Sequence, residues 1–286
     1  LSPCRREPNH FAPLRSCGSF LTPSHLKSDR VNSEEVRMTD FSFQLYSARN
    51  FPPLEANLKK LAAAGYKQVE PFSGQFGDPA ALAAQIKGVG LTAPTAHVGF
   101  DMLADTQKTI DIAGIIGIKT IFCPAISKEA RSPEDGKWKE LADTLAGLGE
   151  AYNKAGLGFG WHNHDFEFTP TTSGKLPMTI ILDNAPTLQW EMDVAWLVKS
   201  GQKPGDWMAR YGSRITAIHV KDLAPAGENL NEDGWADAGH GVLDWQAIYS
   251  TIKTLTKAQY FVMEHDNPAD LDRFITRAIA AAQTWK

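Results

Sequence analysis

Apolar and polar positions along this chain alternate between two periods. Leu54, Leu58 and Leu61 recur at spacings of three and four, which predicts a helix over 54–64 closed by Gly65. Short apolar runs flank it, over 41–46 and 67–70, too brief for helices and bounded by turn residues. The same punctuation continues to the C-terminus. Further strands are predicted over 91–98, 119–124, 158–162, 188–194, 215–220 and 259–264. Helices are predicted over 79–87, 106–116 and 136–155, with a last one over 268–286. Eight strand–helix units in about 250 residues predict an α/β fold, a (β/α)8 TIM barrel. No Gly-x-Gly-x-x-Gly follows the first strand, which argues against a dinucleotide-binding open sheet.

Residues 1–37 carry neither period. They hold four of the 17 prolines and two of the three cysteines, Cys4 and Cys17. A disordered N-terminal extension is expected here, with a single barrel domain over 38–286. Met38 is the first methionine, and Glu34-Glu35-Val36 just before it can be encoded by a purine-rich run resembling a ribosome-binding site. The expectation is a translated leader, with the native product starting at Met38.

Composition narrows the function classes. The chain is 43% apolar and 22% charged, as globular proteins are. Its 29 basic residues against 33 acidic ones leave no excess with which to grip a phosphate backbone, so no nucleic-acid partner is expected. Three cysteines are too few for a disulfide scaffold. No run approaches the roughly 20 apolar residues that span a membrane. A cytoplasmic protein is expected.

Polar residues collect where the predicted strands end, the face that carries chemistry in such barrels. Glu70, His97, His162, Asp193, His219 and Glu264 close strands, and His164 and His265 lie just beyond two of these ends. Of the eight histidines, His10 and His25 fall in the extension and only His240 lies elsewhere in the barrel. Strand alternation puts His219 on one face with Ala217 and Lys221, and Glu264 on one face with Val262 and Asp266. Two imidazoles and two carboxylates, from His162, Asp193, His219 and Glu264, form a set suited to one divalent metal ion. Glu191, two residues before Asp193, reads as a buried partner of that set. Cys123 reads as core, and Lys128 and Arg131 as a solvated loop. No Gly-rich phosphate cradle is present, so a phosphorylated substrate gains no support.

Five segments, in order, carry a family resemblance. They are Gly158-Phe-Gly-Trp-His-Asn-His-Asp-Phe-Glu-Phe168, Glu191-Met-Asp-Val-Ala-Trp196, His219-Val-Lys-Asp222, Gly239-His-Gly-Val-Leu-Asp-Trp245 and Glu264-His-Asp-Asn-Pro268. Together they resemble the sugar phosphate isomerase/epimerase family of xylose isomerase-like TIM barrels, from about Phe41 to the C-terminus. The resemblance implies one divalent metal ion (Mn, Zn, Mg or Co) held by His162, Asp193, His219 and Glu264. It implies proton removal beside a carbonyl through a metal-stabilised enediolate. Glu264 would be ligand and base, with His162 and Lys221 also catalytic. His164, Glu70, His97 and Trp196 would contact substrate, Trp196 as a platform for a sugar face. Asp222 reads as orienting a neighbour.

Two departures shape the expected reaction. Many relatives that epimerise ketoses carry Glu where this chain has His162, and without that second carboxylate an acid/base group on each face of the carbon is missing. The endonuclease branch has Asp-x-x-His where this chain has Asp193-Val-Ala-Trp196, so DNA repair is not expected. The expectation is a metal-dependent sugar or sugar phosphate isomerase/epimerase. A lyase or hydratase on keto-sugars or keto-glycosides is the alternative, and a non-catalytic metal-dependent sugar-binding barrel is the rival from another class. The expected partner is a small-molecule carbohydrate, with no membrane and with a homodimer admitted.

Overall fold

The computed structural model describes residues 40–286; the expected leader, and Met38 with it, lie outside the described residues. The regular strands are β1 (Phe41–Phe43), β2 (Thr95–His97), β3 (Thr120–Cys123), β4 (Gly158–His162), β5 (Gln189–Asp193) and β6 (Ile215–Val220). They are followed by the short pair β7 (Asp222–Leu223) and β8 (Trp235–Ala236), and by β9 (Tyr260–Met263). Seven of these pair in parallel in the order β1-β9-β6-β5-β4-β3-β2, while β7 and β8 form a separate antiparallel pair.

An eighth, irregular stave closes the barrel between β1 and β2. Isolated parallel bridges join Gln44 to Glu70, Gln68 to Thr92 and Phe72 to His97. Glu70 N–H donates to Phe43 O at 2.8 Å, Val69 N–H to Thr92 O at 2.8 Å and His97 N–H to Pro71 O at 3.0 Å. The predicted strands over 67–70 and 91–98 are therefore present only in part as regular ladder. Pro71 and Pro94 have no N–H to give, and each interrupts its stave.

The helices are α1 (Leu54–Ala64), α2 (Pro79–Gly88), α3 (Phe100–Leu103), α4 (Thr106–Ile116) and α5 (Asp135–Lys154). After these come α6 (Pro177–Asn184), α7 (Val194–Lys199), α8 (Pro204–Tyr211), α9 (Trp245–Leu255) and α10 (Leu271–Ala282). Several start on an aspartate whose carboxylate accepts a first-turn N–H: Asp78 from Ala81, Asp105 from Lys108, Asp244 from Ala247 and Asp270 from Arg273. Gly65 and Gly117, at φ of 107° and 93°, close α1 and α4 in the left-handed region that glycine enters without strain. No described helix is long and apolar enough to cross a membrane.

Strand alternation divides the interior into two regions. Outward-facing residues pack under the helices: Phe159 on Tyr152 of α5, Trp190 on Trp207 of α8 and Phe261 on Tyr249 of α9. Inward-facing residues are largely polar, among them Ser42, Gln44, Glu70, Glu191 and His219, all fully buried. Phe122 fills the interior beside Gly160, where an added Cβ would stand 2.6 Å from the phenyl ring and 2.7 Å from Gln189 O. Cys123 lies fully buried in the core on β3, and burial pushes its thiol up.

Two measurements check this packing. Gly160→Ala forces backbone or ring to shift and should cost about 1–3 kcal/mol in urea unfolding; an unchanged midpoint would mean the barrel interior is looser than described. Iodoacetamide at about pH 8 should leave Cys123 unmodified in the folded protein and alkylate it once unfolded, as read by peptide mass mapping.

Candidate metal centre and cleft

Four strands deliver the central side chains. His162 and Asp193 end β4 and β5, His219 is the fifth residue of β6, and Glu264 follows β9. The parallel register sets Asp193 beside His219. Asn163 ties the first two strand ends together. Its carbonyl oxygen accepts Asp193 N–H at 3.0 Å and Trp190 Nε1–H at 2.9 Å, and its amide donates to Asp193 O at 3.1 Å. Asp193 Oδ1 in turn caps α7 by accepting Trp196 N–H at 2.8 Å.

Among the described residues, two overlapping sets of four bring one ligand atom each to within 4.8 Å of the others. One is His162, Asp193, His219 and Glu264; the second is His97, His162, Glu191 and His219. The hydrogen bonds separate their roles. Glu191 Oε2 lies 3.1 Å from His162 Nδ1, 3.2 Å from His219 Nε2 and 2.6 Å from His97 Nε2. Glu70 Oε1 lies 2.9 Å from His219 Nε2 and accepts from Gln44 Nε2 at 2.8 Å. Glu70 and Glu191 thus form a carboxylate layer beneath the rings. That layer engages Nδ1 of His162 and Nε2 of His219, so the opposite nitrogen of each ring points away from it. His219 Nδ1 lies 2.9 Å from Glu264 Oε2. An imidazole anchored through one nitrogen and presenting the other is the arrangement of a metal-binding histidine.

The donor chemistry fits one divalent cation. Asp193 Oδ2 is buried and has no hydrogen-bond partner among the described residues, a costly state that a cation would relieve. Burial pushes the Asp193 carboxyl up to about 7, against the pull of Lys221. Burial and the neighbouring His219 push His162 down to about 3, so its imidazole is neutral, as ligation requires. Glu264 is also buried, but Lys221 and His219 hold its carboxyl well below the usual range. Burial opposes charge on Lys221 as well, yet Asp266, Glu264 and Asp193 keep the ammonium protonated. Its Nζ lies 2.5 Å from Asp266, 3.4 Å from Glu264 and 3.9 Å from Asp193.

A cleft of about 540 Å³ opens above this cluster. Of the residues singled out in the sequence, His97, His162, His164, Trp196 and Glu264 line it. Asp193 and His219 lie fully buried below. Glu70 and Lys221 are also fully buried and do not line the cleft: Glu70 sits in the carboxylate layer and Lys221 stands behind Glu264. Neither Trp196 Nε1 nor His164 Nδ1 has a hydrogen-bond partner among the described residues. His164 packs 5.0 Å from the His162 ring and 5.4 Å from Trp196.

Other contributors escaped the sequence reading. Asp266 shares a strand face with Glu264, and that parity was the one signal that could have marked it. Arg49, stacked 3.8 Å over Tyr46 and donating to Asp266 O at 2.6 Å, reaches the cleft from beyond β1 with no sequence signal. Trp235 arrives on the β7–β8 pair, which appears in no periodic pattern. Asp222, by contrast, was expected to orient a neighbour and pins the following loop, its carboxylate accepting N–H from Leu223, Gly239, Gly241 and Leu243. Glu167, fully buried, accepts Trp161 Nε1–H at 2.8 Å and His164 N–H at 2.9 Å, and burial pushes its carboxyl up to about 8.

Comparison with known proteins agrees with this architecture. An inosose dehydratase from Bacillus thuringiensis (strain Al Hakam) is 25% identical over 159 residues, 51% of this chain and 53% of the relative. The chain spans about half the length of the curated relatives it matches. A sugar phosphate isomerase/epimerase from Parabacteroides distasonis ATCC 8503 has the same fold, with a TM-score of 0.71 at 21% identity over 90% of this chain and 97% of the other. The IOLI protein, solved with a binding zinc atom, superposes with a TM-score of 0.70 at 13% identity over 85% of this chain and 96% of its own. The model of the xylose isomerase-like TIM barrel family matches residues 53–283. With the closed barrel and the polar cluster at its strand ends, that match makes this chain a member of the xylose isomerase-like TIM barrel family.

Proposed function

We propose that this chain is a divalent-metal-dependent lyase that dehydrates a keto-polyol or keto-sugar, taking the proton beside the carbonyl. The observation that carries the reading is the buried set of His162, Asp193, His219 and Glu264, two of which line the cleft. His162, Asp193, His219 and Glu264 would hold the ion, with Glu191 and Glu70 orienting the two imidazoles. A bound divalent cation supplies Lewis acidity toward a substrate carbonyl, lowering the energy of the enolate. The zinc of the IOLI protein supports a metal of this kind, and a mixed set agrees with it, since imidazole suits zinc and carboxylate suits manganese or magnesium.

The residues of the chain then divide the work. Glu264, engaged by His219 and Lys221, is committed as a carboxylate to these two partners. His164 lines the cleft, and burial together with the neighbouring His162 holds it well below the usual histidine range, so its imidazole is neutral and open to taking the proton. It can hand that proton to the departing hydroxyl, so that C–H and C–O bonds break, a C=C bond forms and water leaves. Trp196 and Trp235 offer flat apolar faces to the C–H side of a sugar ring.

The lyase reading, ranked below isomerase and epimerase on the sequence, moves ahead of both because the curated relatives are dehydratases of an inosose. The His162 departure agrees with this order. Elimination needs no second carboxylate on the opposite face, whereas epimerisation is best served by one.

Metal content, proton exchange and product identity test the proposal. Metal analysis should find about one divalent ion per chain, lost in Asp193→Ala and His219→Ala; Glu191→Gln should weaken metal binding about 10- to 100-fold. On a panel of keto-sugars and inososes, His164→Phe should slow solvent-deuterium exchange at least about 100-fold with metal retained. Glu264→Gln should lose exchange together with metal; loss of exchange with metal retained would make Glu264 the base instead. Formation of an isomeric sugar without a dehydrated product would overturn the lyase assignment.

A further inference from the structure

The reaction cleft does not end at the metal cluster. Ser73 and Ala125 line it on one side, and the same two residues line a second groove of about 950 Å³. The groove runs past α3, the loop after β3 and the first turns of α5. Each space falls within the roughly 300–1,000 Å³ that a whole drug-sized ligand fills. A single sugar ring over the metal cluster therefore leaves the groove open to a further group attached to it.

The walls say what that group is. Phe100, Met102, Ile126 and Leu141 supply apolar surface. The charged lining is acidic, with Asp101, Glu129 and Glu140 against Lys137. Lys137 is already held by Glu140 at 2.9 Å. An anion in this groove would meet a lining with more carboxylates than ammonium groups, so a phosphate or carboxylate is disfavoured. A neutral ring with one apolar face and one hydroxylated face fits both the walls and the rim.

The geometry points to a substrate of two rings: a neutral keto-sugar whose reacting ring sits over His162 and Glu264 and whose second sugar ring lies in the groove. This rests on the keto-sugar reading above and names its substrate class as disaccharide-sized and unphosphorylated. The groove contributes binding, and no step of the reaction passes through it.

The test uses the full chain loaded with zinc and three probes: a keto-monosaccharide, a neutral keto-disaccharide containing it, and that disaccharide phosphorylated on the second ring. Titration calorimetry should give the neutral disaccharide a Kd at least about tenfold lower than the monosaccharide, with the gain abolished by the phosphate. Ala130→Trp and Thr144→Trp both fill the groove from exposed positions away from the metal cluster. Each should remove the disaccharide gain and leave the monosaccharide Kd within about twofold. Equal affinities for monosaccharide and disaccharide, a gain that survives both variants, or tighter binding of the phosphorylated probe would each overturn the proposal. Deuterium exchange on the same probes separates the two readings. A disaccharide gain without exchange or elimination sinks the lyase and leaves the groove; exchange without a gain sinks the groove alone; no binding of any probe sinks both.

Discussion

The constraint on which this structure depends is the cost of burying charge. Glu70, Glu191, Asp193 and Lys221 have no exposed surface, and Glu264 has almost none. An ion stripped of water and left alone in a protein interior costs several kcal/mol. Here the cost is offset by mutual pairing, and the partners come from different staves of the barrel. His219 alone touches Glu264 after β9, Glu70 on the irregular stave and Glu191 on β5. Closing the barrel and assembling the site are consequently one event. A barrel open between β1 and β2 would leave Glu70 without the ring that satisfies it.

The same pairing sorts the site into layers. Beneath lies a carboxylate layer that fixes the rotation of the imidazoles. Above it lie His162, Asp193, His219 and Glu264, of which His162 and Glu264 line a cleft with aromatic walls. To one side Lys221, clamped by three carboxylates, balances the negative charge without entering the cleft. Each feature suits a centre that must hold a cation in fixed geometry while the substrate side stays accessible. The unpartnered carboxylate oxygen on Asp193 is the residual tension above that layer, and a cation would resolve it.

Under the proposed reading, substrate choice would lie outside the layered centre. The polar cluster comes from the strand ends, whereas the walls come from segments between them: the stretch after β1 with Arg49, the β7–β8 pair with Trp235, and the groove between α3 and α5. The family fold by itself sets no reaction; under the proposed reading the strand-end cluster would carry the proton abstraction and the loops would decide which ring system reaches it.

The amino-acid sequence by itself determined the eight-unit barrel and the strand-end positions of His162, Asp193, His219 and Glu264. Both follow from periodicity, because an apolar strand must alternate and a βα unit must end in a turn. Helices over 54–64 and 106–116 and strands over 158–162 and 215–220 were legible to the residue. The irregular stave was not, because Pro71 and Pro94 break its ladder while barrel closure retains its position. Nor could periodicity tell that Glu191 would engage three imidazoles, that Glu70 and Lys221 would lie under and behind the site, or that Arg49 and Trp235 would wall the cleft. Those facts depend on which staves become neighbours across the barrel and on how far each side chain reaches. Distance across a closed sheet is a property of the tertiary structure alone.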